Sequence, residues 1–515
     1  MTPTSRLWFE CLVVAVAVSV SNGPIIAWQT LEPIMIGDGV YEDLDPGERD
    51  EQLDDLNAIS LAVGGISCLL AGILYDHFGP RALAVVGAIG TSLGLVGMAA
   101  AIQRPSLNGL LGPSYIGCVF MAFLNSWGSS YYFIRLPSHP YMVAAVGASS
   151  FALGDAFGIV AALLNSELNV TSWEFYYGMA VLSLIGGSVC FVLLPPLSVF
   201  QAERAASRDQ HGAGNATSTT AKDAADGGGD KGKDGTGDVA GRGCLLCLAD
   251  FLRSLWAACL LFGSVPELAL ETAHVTALYM LVAALQVHQY QLYVALFGSS
   301  EAIFLVDLSS LIFAIGGVAA LLSWGAVAYG MSRRTVYLVL DVCTLVFFIS
   351  VATPLVPAQI VGQLMLTVLF NLVANALALT IAFAHAPAIY FGQVAGLIWM
   401  AQGCAQLIST PMQEWAARQE FPHLTNATFG EDDDLDDDLD ANASPRIFVV
   451  FYGWFVVTAI TGLALHWRLW RRGEAEHEIK AEGLATPTKG TSREPPVNEA
   501  TRLIARVEVC SAAVL

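Results

Sequence analysis

Charge is what this sequence has least of. Only 13% of its 515 residues are Asp, Glu, Lys or Arg, about half the share of an ordinary soluble domain. Basic residues are the scarcer kind, 24 against 45 acidic ones. No basic stripe exists to follow a phosphate backbone, so a nucleic-acid partner is excluded. The phosphate-binding pattern G-x-x-x-x-G-K-[ST] and the metalloprotease pattern H-E-x-x-H are both missing, which removes an ATP-driven pump and a zinc hydrolase from consideration. The ten cysteines lie mostly inside apolar runs and imply no disulfide framework. Cys244 and Cys247 lack the second pair that a zinc site needs. The reading is of no enzyme, no metal and no cofactor.

What the chain has instead is apolar surface, 55% hydrophobic residues with mean hydropathy +0.57. A bilayer core about 30 Å thick takes roughly 20 apolar residues per helix. Twelve runs of that kind stand in the sequence: 7–28, 56–75, 82–102, 112–134, 141–164 and 175–194, then 274–297, 303–328, 336–356, 359–383, 394–415 and 447–467. The first is too long for a signal-peptide core and lacks an Ala-x-Ala cleavage pattern, so it reads as a span. The predicted class is an all-α membrane protein of twelve transmembrane helices in two six-helix halves, residues 1–196 and 267–472. Between them, 197–243 is Gly-, Asp-, Ser- and Lys-rich and reads as a disordered linker. Residues 244–266 read as an interfacial helix, and 473–515 as a flexible tail.

The acid excess sits mainly in two loops, 32–55 and the Asp run 431–440, which read as solvated and self-repelling. Cytoplasmic loops carry the excess of Lys and Arg. With the amino terminus inside, Arg6, Arg81, Arg135, Arg333, Arg334, Arg468, Arg471 and Arg472 fall on that side, so both termini are predicted cytoplasmic. The glycosylation triplets at Asn169, Asn426 and Asn442 then face outside. Glu499-Ala500-Thr501-Arg502-Leu503-Ile504 has the form of an acidic dileucine sorting signal. The plasma membrane is the first expectation for location, and an endosomal or vacuolar membrane the second.

One motif carries the fold assignment. Gly72-Ile73-Leu74-Tyr75-Asp76-His77-Phe78-Gly79-Pro80-Arg81 gives G-x-x-x-D-x-x-G-x-R between the second and third runs. Gly72 admits a close neighbour, Asp76 suits the positive end of a helix, Gly79 permits a tight turn and Arg81 can anchor to headgroups. Together they form a candidate conformational latch. Gly325 and Arg334 repeat the outer spacing in the second half, with Tyr329 in place of the acid and Ser332 in place of the second glycine. The motif resembles the signature loop of the major facilitator superfamily, whose halves are themselves inverted repeats.

A narrower resemblance is to the system L type amino-acid transporters of solute carrier family forty-three and to the related apicomplexan amino-acid transporters. It rests on Ser21-Asn22-Gly23 with Trp28, Gly39 and Tyr41, on Asp55-Leu56-Asn57, and on the Phe78-Gly79-Pro80-Arg81 loop. It continues through Leu124-Asn125, Leu136-Pro137, Met142-Val143-Ala144 and Tyr390-Phe391-Gly392. The resemblance implies facilitated transport of neutral amino acids with no cofactor, and the expectation is a monomeric carrier, facilitated or proton-coupled. The seventh run departs from the family, because Gln286-Val287-His288-Gln289-Tyr290 stands where a basic residue is usual. A sugar or monocarboxylate carrier and a non-transporting nutrient sensor or scaffold remain alternatives.

Polar residues far from helix ends mark candidate substrate-binding positions, because each is costly in lipid. Asp155 lies deep in the fifth run, between Gly154 and Gly158. Gln286, Tyr290 and Tyr293 share a helical face beside His288 and Gln289. Asn371 with Asn375, and Gln402 with Gln406, stand four apart and share faces. Asn125 completes the set in the fourth run. In the first run Asn22-Gly23-Pro24 is expected to break the helix and expose backbone groups to a ligand.

Overall fold

The computed structural model describes residues 3–213, 255–256, 258–297, 299–328, 331–372, 376–386, 390–420 and 445–485, and these are almost entirely helical. In the first half α1 (Pro3–Ile26) continues into α2 (Trp28–Gly37), and α3 (Pro46–Gln103) makes two crossings. The next crossing is α4 (Leu111–Ser126), a 3-10 turn over Trp127–Tyr131, and α5 (Tyr132–Arg135). Then come α6 (Pro140–Leu168) and α7 (Ser172–Leu193). After α8 (Leu197–Ala213) the second half holds α9 (Pro266–Phe297), α10 (Ser299–Ala328) and α11 (Arg333–Ala352). It closes with α12 (Val356–Asn371) continued by α13 (Leu377–His385), α14 (Phe391–Glu420) and α15 (Pro445–Ala485).

Among the described residues seven stretches are by themselves long and apolar enough to cross a membrane. One of them, Asp55–Gln103 at 49 residues, is folded at Gly79 (φ 77°, ψ 170°) and supplies two crossings. The remaining four crossings are α6, α10, α12–α13 and α14. Large apolar side chains face outward on the third, sixth and twelfth crossings, with Leu93 68%, Val192 75% and Leu463 71% exposed. A soluble protein would not leave so continuous an apolar belt in water, and lipid is its solvent.

Local chemistry fixes the helix ends. Thr171 and Glu174 form a capping box at the start of α7, and Ser332 Oγ accepts from Thr335 N (3.2 Å) at the start of α11. Each satisfies a backbone donor that the first helical turn leaves free. Gly79 takes a left-handed φ that a Cβ would strain, and Pro80 restarts the helix with φ already set.

Three expectations change. The helix does not break at Asn22-Gly23-Pro24: Ala27 N still donates to Gly23 O (3.0 Å), and the bend falls one turn later at Ala27. Proline removes one backbone donor, and the helices packed around α1 hold the turn in place. The linker does not begin unstructured at 197, because its first part is α8, held by side chains described below. Helix α15 runs past Arg472 to Ala485, so the tail starts helical. Residues 255–256 and 258–264 are helical, within the stretch expected to be an interfacial helix. Cys244, Cys247, residues 214–243, the acidic run 431–440 and residues 486–515 lie outside the described residues.

Each half packs mainly on itself, and two helix pairs join them: α14 lies on the first leg of α3, and α10 on α6. The sequence Gly90-Thr91-Ser92-Leu93-Gly94 has the spacing of a nucleophile elbow, yet it is plain helix. Ser92 Oγ donates to Ala180 O (2.9 Å), and Gly90 and Gly94 receive Met121 and Cys118 of α4.

Candidate functional site

The end of the bundle that carries α8, here the linker side, is closed by contacts between the halves. A Cβ on Gly72 would overlap the Gly392 carbonyl of α14, so backbone meets backbone there. Farther along the same pair of helices, Gly65 meets Gly403 and Cys68 meets Gly396 in the same manner. In the other pair, Gly325 of α10 sits against Met142 and Ala145 of α6. Aromatic rings fill the remaining space: Phe133 lies 5.4 Å from Phe391 and 5.7 Å from Phe383.

Asp76 ties this contact to charge. Its Oδ2 accepts from Gln393 N (3.2 Å) at the amino end of α14, where unpaired N–H groups favour an anion. Its Oδ1 and backbone carbonyl take Arg204 of α8, at 2.7 and 2.9 Å. Glu203 beside it accepts from Tyr131 (2.6 Å) and pairs with Arg135. Two successive residues of α8 therefore clasp the loop after the second crossing and the end of the fourth. Arg81 does not reach outward alone: its Nε donates to Leu194 O (2.6 Å) at the end of α7, and its guanidinium covers the Phe191 ring.

Between the halves lies a small cavity of about 20 Å³, lined by Cys68, Phe123, Ser126, Trp127, Ser129, Ser130, Gly147, Ala148, Leu379 and Trp399. Its size suits one water, not a metabolite, so the halves are shut upon it. The fourth crossing passes beside it through the 3-10 turn 127–131.

Asn22 is buried on α1, and its Oδ1 accepts from Ser126 Oγ (3.1 Å) at the edge of this cavity, while its Nδ2 has no partner. Asn125 is fully buried with neither side-chain polar atom partnered. Gly23 receives the Phe157 ring, a Cβ there lying 2.5 Å from it. Asn371 and Tyr293 bond within their own half. Asn371 Nδ2 donates to Thr367 O one turn back (2.9 Å). The buried Tyr293 hydroxyl takes Gln363, whose Oε1 accepts from Ser309 (2.8 Å). Gln402 is buried and Gln406 half-buried on α14.

The side chains of Asp155, Gln286, His288, Gln289 and Tyr290, and all of Asn375, lie outside the described residues. Sequence reasoning did not single out the serines and indoles of the cavity, nor Arg204. Trp127-Gly128-Ser129-Ser130 in the middle of an apolar run was the available signal; Arg204, inside a polar linker, gave none.

No family model matches the sequence, and no curated protein does. Among solved structures, the proton:xylose symporter XylE of the major facilitator superfamily, bound to 6-bromo-6-deoxy-D-glucose, is similar with TM-score 0.56 and 11% identity. The similarity covers 91% of this chain and 96% of that one. A double-tryptophan XylE variant is similar with TM-score 0.56 and 11% identity, over 90% of this chain and 95% of that one. Two six-crossing halves joined across the second, fifth, eighth and eleventh crossings, with a cavity between them, give this membrane chain the major facilitator fold.

Proposed function

We propose that the chain is an alternating-access carrier of a small solute without net charge, with neutral amino acids as the first substrate class. The carrying observation is the cavity where the two halves meet. Its described lining is hydroxyl, indole and small apolar, with no ionised side chain. Such a lining offers hydrogen bonds and ring faces to a neutral body, and a lone cation or anion would be left unpaired in lipid. The resemblance along Ser21-Asn22-Gly23, Leu124-Asn125 and Tyr390-Phe391-Gly392 supports amino acids, with Asp155 as the partner of the ammonium group.

In this reading the linker side is the cytoplasmic side. Gly72, Asp76, Gly79 and Arg81 form the latch that holds it shut, and Arg204 stabilises the closed form. Release inward requires α14 to leave Asp76 and Gly72 while the halves rock about the cavity.

A second reading, a sugar carrier, is favoured by the serine and tryptophan lining, which suits hydroxyl-rich rings. The sugar bound to the similar symporter agrees with it. Reconstitution in liposomes with labelled leucine, phenylalanine, glucose and lactate separates the two. Saturable uptake of an amino acid that is lost in Asp155→Ala supports the first reading. Uptake confined to glucose moves the assignment to the second, and binding without flux of any solute removes the carrier.

A further inference from the structure

Away from the cavity, α9, α11 and α15 bring together a carboxylate and two imidazoles. Asp341 Oδ2 and His466 Nε2 are hydrogen-bonded at 2.6 Å, and Asp341 Oδ1 stands 3.0 Å from His274 Nε2, an ion-pair contact outside hydrogen-bond geometry that leaves His274 Nε2 without a hydrogen-bond partner. The His274 ring is fully buried, whereas Asp341 and His466 side chains are 27% and 21% exposed. His274 and Asp341 each lie eight residues past the start of their helix, roughly 12 Å in from the linker side. Gly462 lets the group close up, since a Cβ there would lie 3.0 Å from the His274 ring and 3.2 Å from Asp341. None of these residues lines the central cavity.

Placing an acid at this depth is costly unless it is paired. Two neutral imidazoles pair it only partly, and one added proton makes an imidazolium that pairs it fully. A hydroxyl can accommodate either state. Thr461 Oγ lies 3.2 Å from His274 Nδ1 and 3.0 Å from the carbonyls of Val457 and Thr458. When Thr461 gives its hydrogen to a carbonyl, its oxygen accepts from His274 Nδ1, and Nε2 needs a second ring proton to meet Asp341. When it turns the hydrogen to Nδ1, a neutral ring with its proton on Nε2 suffices. Loading and unloading a proton therefore takes one hydroxyl rotation.

The other charged and titratable groups nearby are already engaged. On α9, Glu271 pairs with Arg333 of α11 and His385 of α13, and Glu267 with Arg468 of α15. Tyr337 of α11 presents its ring to His274 at 6.1 Å.

We propose that Asp341, His274 and His466 form an intramembrane proton-binding site that fastens α9 to α11 and α15 in the form closed on the linker side. The site exchanges its proton with the linker side through His466, the more exposed ring. Loaded, it holds α9 in place. Unloaded, it leaves a carboxylate short of charge and frees α9 to move, so inward release quickens as pH rises. The consequence for flux rests on the carrier reading above; the proton site itself does not.

Two measurements test it. Nitrogen NMR of histidine-labelled protein in lipid nanodiscs at about pH 6 should show, among the imidazolium signals of the nine histidines, one that belongs to this group. His274→Gln and His466→Gln spectra assign it, and Asp341→Asn removes it. Exchange flux in proteoliposomes should rise at least about fivefold from pH 5.5 to 8 in the parent and less than about twofold in Asp341→Asn. His466→Gln should likewise flatten the profile, which covers the case in which Asp341→Asn does not fold. If the imidazolium signal assigned to this group persists in Asp341→Asn, or if parent flux is indifferent to pH, the proposal is overturned while the carrier reading stands. If no solute moves, the carrier reading fails and the NMR result alone decides the site.

Discussion

Asp76 and Arg204 form the best-defined buried ion pair of the described chain, with side chains 3% and 9% exposed. Removing one partner strands the other charge away from water, which costs about 3–5 kcal/mol. Asp76→Ala is therefore expected to lower the thermal unfolding midpoint of the purified protein sharply. The double variant with Arg204→Ala should be less unstable than the sum of the two single changes. Strict additivity in that cycle would mean the pair contributes nothing. Asp76 was legible in the sequence because its motif places an acid before a glycine and an arginine at fixed spacing. Arg204 was not, because no local pattern tells which linker residue folds back onto a loop 128 positions earlier.

Elements carry the site more than single residues do. The fourth crossing turns 3-10 at Trp127 and so points Ser129 and Ser130 into the space between the halves, where Trp127 and Trp399 meet edge to face at 5.4 Å. Trp399→Ala deletes most of one wall. If the indole stacks on solute, its loss should raise KM about tenfold, the equivalent of about 1.4 kcal/mol of lost binding, and leave kcat nearly unchanged. Uptake kinetics check this, and a fall in kcat at constant KM would assign Trp399 to the rocking motion instead. Helix α8 shows the same principle from the other side. Its composition argued for disorder, and the pairing of Glu203 and Arg204 with two loops holds it as a helix.

At the scale of the whole molecule, the two halves touch through twin glycines, Gly72 against α14 and Gly325 against α6. Side chains at either position would wedge the linker side open. Gly72→Leu and Gly325→Leu are each expected to raise alkylation of the cavity residue Cys68 by an impermeant maleimide, applied from the linker side, by about tenfold or more. Mass spectrometry of the Cys68 peptide reads it. Unchanged labelling would show that these contacts do not hold the closure.

The sequence by itself determined the solvent, the number of crossings and the division into halves, because each follows from local runs of apolar residues long enough to span lipid. It also marked the loop at Gly72 to Arg81, whose chemistry is local. Only the tertiary structure decided which polar residues meet. Asn22 found Ser126, and Asp76 found Arg204 and the amino end of α14. Tyr293 found Gln363 inside its own half, and His274 joined Asp341 and His466 across three helices. A hydropathy run fixes that a helix crosses the membrane. Its rotation and its neighbours are set by packing against helices distant in the chain, and those decide what each buried polar group can do.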